Sequence, residues 1–286
     1  MRSTLHPELR LVSALVCLMV WVMGAQAQSP PSAFTIGVLP NVSARVILAN
    51  YQPMREYFQR ELKQPVDIAT AADFRAFSES TMKGVYQIVV TAANVGRVNQ
   101  LDGKWEPIAI YEPAIPAVLV AAAGNASNSA EQLRGKILAV GNPQSLVVLR
   151  GLQWLREQGL QEGRDFKLSR VSNDDSLGAL IRSGEAPLAM MSMGEFRAIG
   201  ETTRSELKIA TEFARVPGFL VMAGPQLPAA ERERVKALML KFPMSDDGKK
   251  FFSLSGFTNI REVKSGELDP LDAFVPATRT GLGISK

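Results

Sequence analysis

Short β-type runs alternate with longer helical stretches, and the alternation occurs twice along this chain. Thr35-Ile36-Gly37-Val38-Leu39, Val66-Asp67-Ile68-Ala69 and Gln87-Ile88-Val89-Val90-Thr91 read as three strands. Between them lie a helical pattern over 43–63, with Ile47, Tyr51, Met54, Phe58 and Leu62 on one stripe, and a second helix that Asp73 can cap, carrying Phe74 and Phe77. Pro53 is expected to kink or restart the first helix. Strands separated by helices cannot pair as hairpins. They demand a largely parallel sheet covered by helices.

A second cycle follows. Strands are expected over Lys136–Val140, Phe166–Val171, Leu188–Met191 and Leu207–Thr211. Helices are expected over Ser145–Gln158 and Asp174–Arg182, and from Glu195 onward. Gly124–Asn128 reads as a polar turn, and Ser129 with Gln132 fits a capping box. Two extended apolar segments, Ala117–Ala123 and Phe219–Met222, read as crossovers between two α/β lobes. The chain then divides into 28–117 (first lobe), 118–220 (second lobe) and 221–286 (return to the first lobe). The return carries helices at Ala229–Phe242 and 245–255 and a loop-rich end with Pro270 and Pro276. Such an out-and-back path leaves a hinge and a cleft, and clefts of this kind commonly hold ligands.

Residues 1–27 read as a cleavable secretory signal peptide. Arg2, His6 and Arg10 precede the apolar run Leu11–Met23, and Ala25-Gln26-Ala27 supplies a small-x-small cleavage site. The run is shorter than the ~20 residues of a spanning helix. The single His and the single Cys of the chain, His6 and Cys17, both fall within residues 1–27. Downstream of the signal there is therefore no imidazole or thiol. Ser-His-Asp and Cys-His catalysis, His- or Cys-based metal sites and disulfides are excluded there. Carboxylate chemistry and oxygen-ligand metals are not. The net charge of +4 is mild and forms no basic run, so no nucleic-acid partner is expected.

Four stretches in order carry a family resemblance: Ile36–Pro40 followed by Tyr51–Phe58; Ala71–Phe74 with Gly84 and the third strand; Gln132–Val140 followed by Gly141-Asn142-Pro143-Gln144-Ser145; and Ser176–Gly184 ahead of Leu188–Met191. With them the chain resembles the phosphate/phosphite/phosphonate-binding branch of the substrate-binding proteins of ABC importers. The resemblance implies a two-lobed periplasmic-binding-protein (Venus flytrap) fold of the α/β class. Each lobe is a sheet flanked by helices, and two crossover strands form the hinge. It also implies a periplasmic protein that binds a small oxyanion between the lobes, uses no cofactor, partners an inner-membrane permease and is monomeric.

The family's binding turn, Asp-Pro-x-Ser-Thr-Ser-Gly, here reads Asn142-Pro143-Gln144-Ser145-Leu146-Val147-Val148, keeping only Pro143 and Ser145. Family tyrosines near the second and third strands appear as Phe74 and Thr91, and a family His appears as Asn173. Hydroxyl and imidazole donors are thereby lost.

The candidate ligand-binding residues are Asn41, Phe74, Thr91, Asn94, Ser145, Asn173 and Glu195. Ser145 opens a helix, as a ligand hydroxyl or as an ordinary N-cap. Thr91 and Asn94 end the third strand, and Asn41 with Ser43 follows the first, at the edge where open α/β sheets bind ligands. Helix capping and strand-end turns explain the same residue types equally simply. Asn173 can donate and accept, while Asp174 and Asp175 beside it suit the helix dipole. Glu195, after Ser192, matches a family acidic residue that engages a ligand amino group, or simply sits in a helix first turn. The cluster Met190, Met191 and Met193 reads as core filling. Two further readings share the scaffold: a sensor module presenting its ligand to a membrane receptor or histidine kinase, and a periplasmic enzyme using carboxylates such as Asp73 or Glu195.

Overall fold

The computed structural model describes residues 33–125 and 129–284. The signal peptide read at 1–27 and positions 126–128 of the polar turn lie outside them. In the first lobe, β1 (Phe34–Val38), β2 (Val66–Ala69) and β3 (Ile88–Thr91) pair in parallel around β1. Helices α1 (Ala44–Leu62) and α2 (Phe74–Met82) connect them, and α3 (Ala93–Gly103) leads from β3 to β4 (Glu106–Glu112). The chain then enters the second sheet with β5 (Ile115–Ala122). There β6 (Lys136–Val140), α4 (Leu146–Glu157), β7 (Phe166–Arg170), α5 (Asp174–Arg182) and β8 (Leu188–Ser192) repeat the parallel winding. Two short helices, α6 (Met193–Ala198) and α7 (Glu201–Arg204), precede β9 (Leu207–Val216). The return passes through β10 (Leu220–Ala223), α8 (Ala229–Lys241), α9 (Asp246–Ser255), β11 (Asn259–Arg261) and α10 (Val275–Leu282). The sheet orders are β11-β4-β10-β3-β1-β2 and β7-β6-β8-β5-β9. This is the two-lobed architecture expected from the sequence.

Strand period explains how each sheet is covered on both faces. In β3 and β10, Val89, Leu220 and Met222 face one apolar cluster while Ile88, Val90, Val221 and Ala223 face another with Met54, Phe58 and Phe242. In the second sheet, Leu119, Leu188 and Met190 face the first of these clusters, and Val118, Val120 and Ala189 a third with Leu177 and Ile181. Met190 and Met191 are thus core residues, and Gly151 on α4 leaves the space that the Met190 sulfur fills. One continuous cluster spans both lobes. In it Leu146 and Val147 of α4 join Leu39, Phe74 and Ala93 of the first lobe.

The passages between sheets lie elsewhere than Ala117–Ala123 and Phe219–Met222 suggest. Ala117–Ala122 lies wholly within the second sheet and Leu220–Met222 within the first. The chain crosses between Glu112 and Ile115 and again between Val216 and Leu220. Two crossovers that are both apolar and extended look alike in sequence, and only pairing decides which sheet owns them. Three other local expectations change. Helix α1 runs unbroken through Pro53, with Tyr51, Met54 and Phe58 buried around it. Ser129 opens a 3-10 turn at Ala130–Leu133 rather than an α-helix, and its hydroxyl accepts from Glu131 N–H. The loop-rich end is structured: β11 joins the first sheet, and Pro270 and Pro276 sit in the first turns of a 3-10 segment and of α10, where a missing N–H costs nothing.

That C-terminal helix also ties the lobes together. The Asn94 side-chain amide donates to the Gln144 carbonyl at 3.2 Å and to Thr278 Oγ1 at 3.0 Å, joining α3, the turn before α4 and α10. Gln144 in turn packs over Gly281, where a Cβ would come within 2.4 Å of its side chain. Asp272 with Arg97 (2.7 Å) and Asp102 with Arg279 (2.6 Å) pin the end of the chain to α3 from outside.

Two expected outcomes follow from this packing. Asn94→Ala leaves a buried carbonyl and hydroxyl short of a donor and should lower unfolding free energy by ~1–3 kcal/mol in urea titrations. Gly218 lies in the second passage, where an added Cβ would stand 2.0 Å from the Tyr111 carbonyl oxygen. Gly218→Ala should likewise cost ~1–3 kcal/mol through forced backbone movement, and a midpoint equal to wild type would contradict that close approach.

Candidate functional site

The carboxyl ends of the parallel strands of both sheets face one another across an interlobe cleft of about 730 Å³. From the first lobe, the wall is built by Pro40–Ser43 after β1, the first turn of α1 with Arg45, and Asp73 at the start of α2. From the second lobe it is built by Val140–Asn142 at the end of β6, Arg170–Asn173 at the end of β7, and Glu195 after β8. Each of these positions ends or follows a strand, because there the chain must leave the sheet and turn its polar backbone toward solvent. Deeper between the lobes lies a second space of about 50 Å³, walled by Leu39, Phe74, Ile115, Leu146, Val147 and Phe219 among others. The two spaces share Asn41 and Glu195.

Local hydrogen bonding explains how the candidate side chains are held. Asn173 caps α5, its Oδ1 accepting from Ser176 N–H at 2.8 Å, and it is exposed in the outer cleft. Ser145 caps α4, its hydroxyl accepting from Val148 N–H at 3.3 Å, and it borders the inner cavity. Phe74, the first residue of α2, is buried and forms part of that cavity's wall. Glu195 and Ser192 make a reciprocal capping box at α6: the carboxylate accepts from Ser192 N–H at 2.7 Å and the Ser192 hydroxyl accepts from Glu195 N–H at 3.1 Å. Burial raises the Glu195 carboxyl above the usual carboxylate range, and the bonds from Ser192 oppose this only in part.

Thr91 and Asn94 stand apart. Both are fully buried and border neither space. Thr91 is the last residue of β3, opposite Leu220 of β10, and its hydroxyl has no hydrogen-bond partner among the described residues. Asn94 is the second residue of α3, a helix the sequence reading did not include, and its amide is committed to Gln144 and Thr278. Helix α3 buries Ala93, Asn94, Gly96 and Asn99 beside Val95 and Val98, so its inner face carries no clear apolar stripe.

The sequence reading also passed over Arg45 and Arg170, which line the cleft from opposite lobes. The strand-end argument that singled out Asn41 and Ser43 reaches Arg45 two residues later, and Arg170 is the last residue of β7. Leu146 and Val147, noted only as departures from a family turn, prove to be walls of the inner cavity.

Comparison with known proteins agrees with this geometry. A binding-protein component of an ABC phosphonate transporter from Pseudomonas aeruginosa superposes with a TM-score of 0.73 at 14% identity, over 87% of this chain and 88% of that one. PhnD1 from Prochlorococcus marinus in complex with methylphosphonate gives 0.71 at 14% identity, over 89% and 100%. XAC2383 from Xanthomonas citri bound to ATP gives 0.70 at 18% identity, over 87% and 99%. These likenesses establish the fold. The family model for the periplasmic substrate-binding protein of phosphonate ABC transporters matches residues 36–268, nearly the whole of both lobes, and the chain belongs to that family.

Proposed function

We propose that this protein captures a small phosphonate-like oxyanion in the interlobe cleft, in the periplasm, and delivers it unchanged to an inner-membrane permease, acting as a monomer. Membership of the family already implies a small-molecule ligand and a permease partner. The observation that carries the reading is the cleft itself. Its walls come from the strand ends of both lobes, so a ligand between them favours the closed arrangement over the open one. Asn41 and Asn173 supply amide donors from opposite lobes, and Ser43 and Ser172 supply hydroxyls. Glu195 stands where the two spaces meet and borders both. Phe74 and Ser145 shape the inner end, and Thr91 and Asn94 support the wall from behind. Relatives of the same fold hold ligands as different in size as methylphosphonate and ATP, which suits a cleft larger than one phosphonate group.

Thermal unfolding against phosphate, phosphite, methylphosphonate, aminoethylphosphonate, propanesulfonate, simple carboxylates and amino acids tests this directly. A true ligand at ~100 times its dissociation constant should stabilise by about 2.7 kcal/mol. A response to carboxylates or amino acids alone would overturn the oxyanion reading, and turnover of any bound ligand would overturn the pure-binding role.

Glu195 carries its own prediction. Its folded-state pKa is raised, so the folded protein retains a proton that the unfolded chain releases. Stability should therefore fall as pH rises from about 4.3, the ordinary Glu value, through the raised one. Glu195→Gln keeps an acceptor for Ser192 N–H and should remove this decline. Stability–pH curves for the two proteins that run parallel between pH 4 and 8 would contradict it.

A further inference from the structure

The two spaces between the lobes differ in free charge. Among the described residues, the outer cleft is lined by four charged side chains: Arg45, Arg170, Asp73 and Glu195. Both carboxylates are already engaged with backbone, Asp73 accepting from Ala76 N–H at 2.8 Å and Glu195 from Ser192 N–H at 2.7 Å. Neither arginine has a hydrogen-bond or ion-pair partner among the described residues. Within the first lobe, by contrast, Arg97, Arg261 and Arg279 each pair with a carboxylate of a neighbouring element. Two unpaired guanidinium groups, one from each lobe, repel as the lobes approach, and an anion between them reverses the sign. Their planar forks match the oxygens of a tetrahedral oxyanion bidentately.

The inner cavity offers the opposite chemistry. With about 50 Å³ it has room for only a few atoms. Its walls are Leu39, Phe74, Leu146, Val147 and similar residues, and among the described residues its one ionisable group is the Glu195 carboxyl. A doubly charged head placed there would lose its water beside a carboxylate with no cation in reach, which is strongly unfavourable. An apolar group placed there gains roughly fourfold in affinity per buried methylene.

Building on the oxyanion-binding reading, we propose that the ligand is an organic tetrahedral oxyanion bound tail-first: its head lies between Arg45 and Arg170 in the outer cleft, and its apolar substituent passes Asn41 and Glu195 into the inner cavity. The two arginines are then its charge-binding residues, and the inner cavity, rather than the outer cleft, selects the substituent.

Isothermal titration calorimetry on protein produced from the full-length sequence tests this with phosphate, methylphosphonate, propylphosphonate, phenylphosphonate and propanesulfonate. Propylphosphonate should bind at least tenfold more tightly than methylphosphonate, and phosphate most weakly of all. Comparison with propanesulfonate identifies the head group. Arg45→Gln and Arg170→Gln should each weaken propylphosphonate tenfold or more, and unliganded unfolding midpoints equal to wild type will show that both variants fold. Arg156→Gln removes the same charge from an exposed site at the far end of α4 and should stay within twofold of wild type. Equal affinity for methyl- and propylphosphonate, or cleft variants that behave like Arg156→Gln, would overturn the tail-first arrangement and leave oxyanion binding standing. Failure of the whole panel to bind would overturn both.

Discussion

Everything in this molecule hangs on one antiparallel ribbon. Strand β4 leads out of the first lobe and β10 leads back beside it, and β5 and β9 continue the same pairing in the second lobe. Between the sheets, Tyr111 N–H still bonds the Phe219 carbonyl at 2.9 Å, and Ile115 faces Val216. The two strands make a narrow waist between the lobes. Hinges of two-lobed clamps are a few element-terminal residues of this kind. The close approach of Gly218 to the Tyr111 carbonyl shows how little room the waist leaves.

The ribbon decides where chemistry can occur. With the sheets joined at one edge, the carboxyl ends of β1 and of β6, β7 and β8 point into one gap. Loops at those ends carry the unpaired backbone groups, the helix starts and the free side chains. The result is a gradient of polarity from Arg45, Arg170 and the asparagines outside to Leu39, Phe74 and Leu146 within. Apolar contact already joins the lobes across α4, and the buried Asn94–Gln144–Thr278 group adds direction to it. A buried amide with two acceptors fixed in place specifies one lobe arrangement more sharply than apolar contact can.

Much of the fold was readable because it rests on periodicity. The strands of the two cycles, the stripe on α1 and the Asp174–Arg182 helix emerge from residue spacing alone. Helix α3 did not, because Asn94, Gly96 and Asn99 occupy its buried face and spoil the apolar pattern. The ordered C-terminal end did not, because its prolines read as breakers until their first-turn positions are known. The candidate site was legible by edge: Asn41, Phe74, Ser145, Asn173 and Glu195 border the interlobe spaces, as strand-end and helix-start positions should. Thr91 and Asn94 satisfied the same rule and are buried behind the wall.

By itself, then, the sequence determined the alternating α/β layering, the two-lobe division and the absence of imidazole and thiol chemistry downstream of residue 27. These depend on local spacing and on composition. Only the tertiary structure decided which sheet each crossover strand joins, which strand-end residues face the gap, and that Arg45 and Arg170, 125 positions apart in the chain, line it together. Such facts depend on the packing of segments distant in sequence, and no local pattern encodes the side of a wall on which a residue will stand.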